Sequence, residues 1–175
     1  MASGTGTTAY FLAQYFVNHY NHQEEVENHL DTRESLRVDV LAVPCVSTAE
    51  HLREQMLALH KLCQSNSSIL PTILHTHTVP KRPFAKPCIE HCSIWNALRK
   101  QTGIEFDLIY APRVFEILAT LTGNSMTVAN WDKSLSLQSL YPEANIIYYH
   151  CGGVEGNESQ LARYTRLGIG NEITE

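Results

Sequence analysis

The stretch "VDVLAVPCVSTAEHLREQMLALHKLC" (residues 38–63) joins two kinds of periodicity, and its reading decides the fold class. Its first nine residues, "VDVLAVPCV" (38–46), are mostly apolar on both faces. A strand reads this way when helices cover its sheet on each side. From Thr48 to Cys63 the apolar residues instead recur about every 3.6 residues. Thr48 suits an N-cap and Glu50 suits the first turn, where a carboxylate complements the helix dipole. A strand followed at once by an amphipathic helix predicts a βα unit with parallel pairing and a right-handed crossover.

The same alternation extends in both directions. "ILPTILHTHTV" (69–79) reads as a strand whose Pro71 marks a start or an edge. "FDLIYAP" (106–112) and "ANIIYYHC" (144–151) read as two more strands. Helical periodicity covers residues 8–20, 88–101, 113–121 and 158–167, with Gly103 ending the second of these. The expected architecture is α/β: one unit over residues 1–175, a parallel sheet in a three-layer αβα arrangement. Residues 123–142 are the least regular and read as a lid or surface excursion, and the tail from "GIGNEI" reads as frayed.

Composition narrows the function classes. The chain of 175 residues is 43% hydrophobic and 18% charged, which suits a globular domain with a real core. Its net charge is −5 with no block of Lys or Arg, so neither nucleic acid nor an anionic membrane is an expected partner. No apolar run approaches a membrane span and no signal-peptide pattern opens the chain, so a cytoplasmic protein is expected. The five cysteines, odd in number and widely spread, do not form a secreted disulfide framework. Asn66-Ser-Ser and Asn157-Glu-Ser match the glycosylation pattern, which carries no weight without a secretion signal.

Chemistry begins at "SGTGTTAYFLAQYF" (3–16). Gly4 and Gly6 let the backbone turn sharply and approach a ligand, Thr5, Thr7 and Thr8 add hydroxyls, and a helix follows. Helix-terminal N–H groups and the dipole then favour an anion such as a phosphomonoester. A glycine-containing tail that merely caps its helix is the plain alternative. The loop also fits G-x-G-x-x-A, but a dinucleotide site needs a strand before the loop and a carboxylate ending the next strand. Only Met1 and Ala2 precede this serine-glycine turn, and the next strand ends in Val43-Pro44-Cys45. A P-loop fails for want of Gly-Lys-Ser/Thr.

Nine histidines raise the question of a metal. His75 and His77 share a strand face, and His91 lies beside Cys92 with Cys88 one turn away, yet neither set has the paired spacing of a zinc site. Cys88 and Cys92 read more simply as one buried helix face, and no metal is expected. His150 and Cys151 are neighbours on an expected strand and so face opposite sides, which rules them out as a nucleophile–base pair.

Two longer stretches carry a resemblance. "RPFAKPCIEHCSIWNALRKQTGIEFDLIYAP" (82–112), followed by "IIYYHCGGVEGNESQLARYTR" (146–166), resembles the C-terminal half of the 1-aminocyclopropane-1-carboxylate deaminase and D-cysteine desulfhydrase family. With the loop at residues 4–8, the likeness spans nearly the whole chain. It implies pyridoxal phosphate as cofactor and the cofactor-binding half of the tryptophan synthase β-like fold. Gly4, Thr5, Gly6, Thr7 and Thr8 then match the phosphate loop, and Glu116 the carboxylate facing the ring nitrogen. Tyr110 and Phe115 match positions beside substrate, and His150, Gly152 and Gly153 match the turn closing the site. A carboxylate at that nitrogen keeps the ring protonated and a better electron sink. Read without the family, Glu116 is a solvated first-turn carboxylate and Tyr110 a core tyrosine.

Departures refine the resemblance. Phe84-Ala85-Lys86-Pro87 stands where the deaminases have Tyr-Gly-x-Pro, and Phe115 also lacks a hydroxyl, so the desulfhydrase-like branch is the better match. In the family the Schiff-base lysine lies well upstream of the phosphate loop, and none of Lys61, Lys81, Lys86, Lys100 and Lys133 stands in its context. The expectation is a C-terminal portion of a larger two-domain enzyme, with its leading strand and lysine missing. It would be inactive alone and would associate with itself or with a partner chain. Two classes stay open: an enzyme eliminating and deaminating a small amino acid, and a non-catalytic chain binding phosphate or a partner.

Overall fold

In the computed structural model the chain is mixed α/β, with a small three-stranded parallel sheet and five α-helices among the described residues, which are 1–21, 38–63, 69–75, 79–122 and 144–169. The expected excursion at 123–142, the tail from 170, His77, Asn66 and Lys133 lie outside them. The chain divides into two compact units, one running to Leu74 and the other starting at His75.

The first unit opens with a correction: the strand leading into the glycine loop is present. Ala2–Ser3 form β1, held by Val43 N donating to Met1 O at 2.9 Å and Cys45 N to Ser3 O at 3.0 Å. Helix α1 (Thr7–Phe16) follows and continues as one turn of π-helix, Val17–Asn21. Strand β2 (Leu41–Pro44) is central in the order β1-β2-β3, and β3 (Thr72–Ile73) pairs with it in parallel, Leu41 opposite Thr72. Between them lies α2 (Ala49–Cys63), whose start is as expected: His51 N donates to Thr48 Oγ1 at 3.2 Å. Ala9, Ala42, Leu52 and Met56 form the core of this unit.

The second unit is built on helices. Helix α3 (Ile89–Thr102) ends at Gly103, which takes the left-handed conformation at φ 68. Helix α4 (Ala111–Thr122) follows, and a 3-10 turn at Val154–Gly156 leads into α5 (Asn157–Arg166). Cys92, Ile94, Trp95, Leu98, Phe106 and Tyr164 centre its core. No described helix is long and apolar enough to cross a membrane.

Neither expected strand of this unit forms. In "FDLIYAP" the buried Asp107 carboxylate accepts from the backbone N–H groups of Ile109, Tyr110 and Ala111, which turns the chain into the start of α4. One acid just ahead of the helix outweighs the apolar pattern because it satisfies donors that a helix end leaves open. Residues 144–150 are also outside any strand, and Ile147 is 85% exposed there.

Candidate functional site

The glycine loop sits where a parallel sheet presents ligands, just past the carboxyl ends of its strands. Gly4 lies close to Val46, which follows β2, and Gly6 is the N-cap of α1. Gly6 is required on two counts. Its φ is 84, and a Cβ there would stand 2.8 Å from Met56 Cγ and 3.0 Å from Leu52 Cδ1. Gly4 has neither constraint, since a Cβ would make an ordinary 3.6 Å contact with Val46. The loop's closeness to α2 therefore belongs to Gly6 alone.

No side chain caps α1. Thr5, Thr7 and Thr8 are exposed, and the hydroxyls of Thr5 and Thr7 are 3.1 Å apart. Hydroxyls beside an uncapped helix N-terminus form a donor-rich surface suited to an anion. With β1 in place, the missing-strand objection to a dinucleotide loop falls. The other objection stands, because β2 ends in Pro44 and Cys45 follows, without a carboxylate.

Tyr110, Phe115, Glu116, His150, Gly152 and Gly153 belong to the second unit. Three of them converge on Asp107. Its carboxylate fixes the Tyr110 backbone, His150 Nε2 lies 3.3 Å from its Oδ2, and a Cβ on Gly153 would meet its Cβ at 3.4 Å. Gly153 has φ 103 and Gly152 φ 93, both in the region that favours glycine. Phe115 packs on Tyr148 with ring centroids 4.9 Å apart, and Phe106 lies 5.7 Å from His150, so these rings form one aromatic wall.

Asn157 organises the segment from behind. Its amide donates to Phe106 O at 2.9 Å and Glu105 Oε1 at 3.1 Å, while its oxygen accepts from Leu108 N at 2.8 Å. Buried and bonded in this way, it is no glycosylation acceptor in the folded chain. Asp107 and Asn157 were both missed as organising residues by sequence reading. Asp107 sits in an apolar run that masks its capping role, and Asn157 sits in a motif that also matches a modification pattern.

Glu116 is neither solvated nor open. Arg82 donates to its Oε1 at 3.0 and 2.9 Å from Nε and Nη2, and Arg113 donates to Oε2 at 2.7 Å. His91 Nε2 lies 3.3 Å from the same Oε2. Burial alone would push this carboxyl up, but the bonds from His91, Arg82 and Arg113 and the charge of Arg82 outweigh it and hold the carboxyl at about 2. Burial likewise works against the His91 imidazolium, and Cys88 and Glu116 overcome it, so His91 is raised above its ordinary value.

Phe84 lies 5.4 Å from Tyr110, ring centre to ring centre, which brings the Phe-Ala-Lys-Pro turn beside α4. Ala85 in that turn has φ 54, the only positive φ at a non-glycine among the described residues. Among those residues no group of three His, Cys, Asp or Glu is placed to hold a metal ion. Compared with known proteins, the chain matches no family model and no curated sequence.

Proposed function

We propose that this chain is the phosphate-holding part of a pyridoxal-phosphate-dependent enzyme that eliminates and deaminates a small amino acid such as D-cysteine. The observation that carries the reading is the unit β1–Gly4-Thr5-Gly6–α1 at the carboxyl end of the parallel strands. The donor set fits a phosphomonoester: exposed threonine hydroxyls, helix N–H groups and no competing carboxylate in the loop. The left-handed Ala85 adds support, because the resembled deaminases have glycine at that place. In this reading the chain is cytoplasmic, has the three-layer αβα arrangement of the tryptophan synthase β-like fold, and works with a second copy or another chain.

When bound, the cofactor supplies the electron sink for a carbanion on the amino acid. Thr5, Thr7, Thr8 and the first N–H groups of α1 would hold its phosphate. Within the second unit, Tyr110, His150 and Gly153 gather round Asp107, and with Phe115 and Gly152 they are the positions that the resemblance gives to the substrate side. Glu116 does not fit a ring-nitrogen contact as it stands, because Arg82, Arg113 and His91 engage both its oxygens. No proton-transfer lysine is assigned to this chain. The engagement of Glu116 favours the second reading, a chain that binds phosphate without catalysis.

The test is a spectroscopic titration of the protein with pyridoxal phosphate, competed with inorganic phosphate. Thr7→Val combined with Thr8→Val is expected to weaken binding at least tenfold, roughly the loss of one or two net hydrogen bonds to a charged group. Unchanged binding in the double variant overturns the loop assignment. Phosphate binding without any preference for pyridoxal phosphate selects the second reading.

A further inference from the structure

Helix α1 is inverted relative to an ordinary surface helix. Its buried residues are Ala9, Tyr10, Ala13 and Gln14. The polar tips among them are used inside: the Tyr10 hydroxyl lies 3.2 Å from His60 Nδ1 of α2, and Gln14 Nε2 donates to Ile69 O at 2.7 Å. The large apolar rings face the other way. Phe11 is 51% exposed and Tyr15 50%, and at four residues apart they share one face. Both rings are braced where they stand. Phe11 packs edge-on against Tyr10 with centroids 5.3 Å apart, and Tyr15 stacks on His19 at 4.1 Å.

A surface helix ordinarily sets charged and polar residues on its outer face. Residues 1–21 contain no Asp, Glu, Lys or Arg. Each of the other four described α-helices carries at least two such residues. An outer face of braced aromatic rings without charge has the composition of an interface core.

We infer that this face is covered by the same face of a second copy, with α1 antiparallel to α1 about a two-fold axis between Phe11 and Tyr15. Charge selects the occupant. The chain carries −5, so two copies repel over most of their surface and meet most readily where neither bears a charge. Two-fold symmetry then makes one face sufficient: Phe11 of each copy meets Tyr15 of the other. Antiparallel pairing also sets each helix dipole against the opposite end of its neighbour. The inference rests on the proposed function only for the expectation of a partner chain, and it names that partner and its surface.

The test is sedimentation equilibrium of the full chain over a wide concentration range. Wild type is expected to show a reversible monomer–dimer equilibrium. Phe11→Asp and Tyr15→Lys each bring two like charges to the axis, and each is expected to weaken association about tenfold or more. Both positions are exposed, so the circular dichroism of each variant should match wild type. Mixed in equal amounts, the two variants set a carboxylate opposite an ammonium and keep one Phe11–Tyr15 pair, so dimer formation is expected to return. A wild-type chain that stays monomeric overturns the inference, as does a dimer that either folded variant leaves at full strength. A mixture that associates no better than its components overturns it too. Should one variant unfold, the other alone decides. A chain that dimerises in this way but binds no pyridoxal phosphate refutes the loop reading alone, and one that binds it as a monomer refutes this inference alone.

Discussion

Two apolar runs of similar length meet opposite ends in this molecule. "VDVLAVPCV" contributes the central strand of a sheet, while "ANIIYYHC" forms no strand over residues 144–150. The difference is one of partners rather than composition. In the first run Ala42 and Val43 are almost fully buried, with Val43 N donating to Met1 O on one side and Ala42 O accepting from Leu74 N on the other. In the second, Ile146, Ile147 and Tyr149 are exposed. Backbone donors must be paired, and a strand exists where a neighbour pairs them.

The contrast extends to what holds each unit. The first relies on a sheet, a close helix approach at Gly6 and a small apolar core. The second supplements its core with buried polar groups that do specific tasks: Asp107 starts a helix, Asn157 ties down residues 105–108, and Glu116 joins Arg82, His91 and Arg113. Single polar changes should therefore break the second unit, whereas shape changes should break the first.

The largest effect is expected for Glu116→Leu. It leaves Arg113 and His91 without the carboxylate they share and Arg82 with only the more exposed Glu90, and breaking a buried pair in this way costs about 3–5 kcal/mol. Urea unfolding followed by Trp95 fluorescence in a Trp131→Phe background reads the second unit directly, since Trp95 is buried there. The same cluster sets a pH dependence. Glu116 is held at about 2, so its contribution is present above the ordinary carboxylate value and is lost as pH falls through about 2. His91 is raised, so its contribution is present below its ordinary value and is lost as pH rises through the raised one. Wild-type stability should therefore exceed that of Glu116→Leu most between pH about 4.5 and about 6.5.

Next comes Gly6→Ala against Gly103→Ala. Both glycines have positive φ, at 84 and 68, but a Cβ on Gly103 meets nothing within 4 Å. Backbone strain alone predicts a loss of about 1–2 kcal/mol at Gly103. At Gly6 the clash with Met56 and Leu52 adds a further penalty of about 1–3 kcal/mol. Equal losses in chemical denaturation would show that α2 yields freely and that the first unit is not limited by shape. The smallest effect is a gain. Ala85→Gly relieves a φ of 54 at the cost of a more flexible unfolded chain, a net stabilisation of about 0.5–1 kcal/mol. No change in midpoint would mean that the turn relaxes around alanine.

All five described helices were legible in the sequence to within a residue or two, except that α1 gives way to a π-turn after Phe16. Helical periodicity, Thr48 at its cap and Gly103 at its stop are local signals, since a helix bonds to itself within four residues. The β2–α2–β3 alternation was legible for the same reason, as was the donor-rich loop at residues 3–8. The rest depended on residues far apart. β1 is two residues long and exists because Leu41–Pro44 pairs with it, so no pattern within Ala2–Ser3 announces it. "FDLIYAP" carries the apolar content of a strand, and only the placement of Asp107 against the following N–H groups makes it a helix start. Glu116 read as a surface carboxylate from its place in a helix, and Arg82, 34 positions earlier, is what buries and fixes it. The sequence by itself determined the helices, the glycine turn and the chemistry available. The tertiary structure decided which apolar runs became strands and which charged groups met, because pairing and desolvation depend on the distant partner and not on the local pattern.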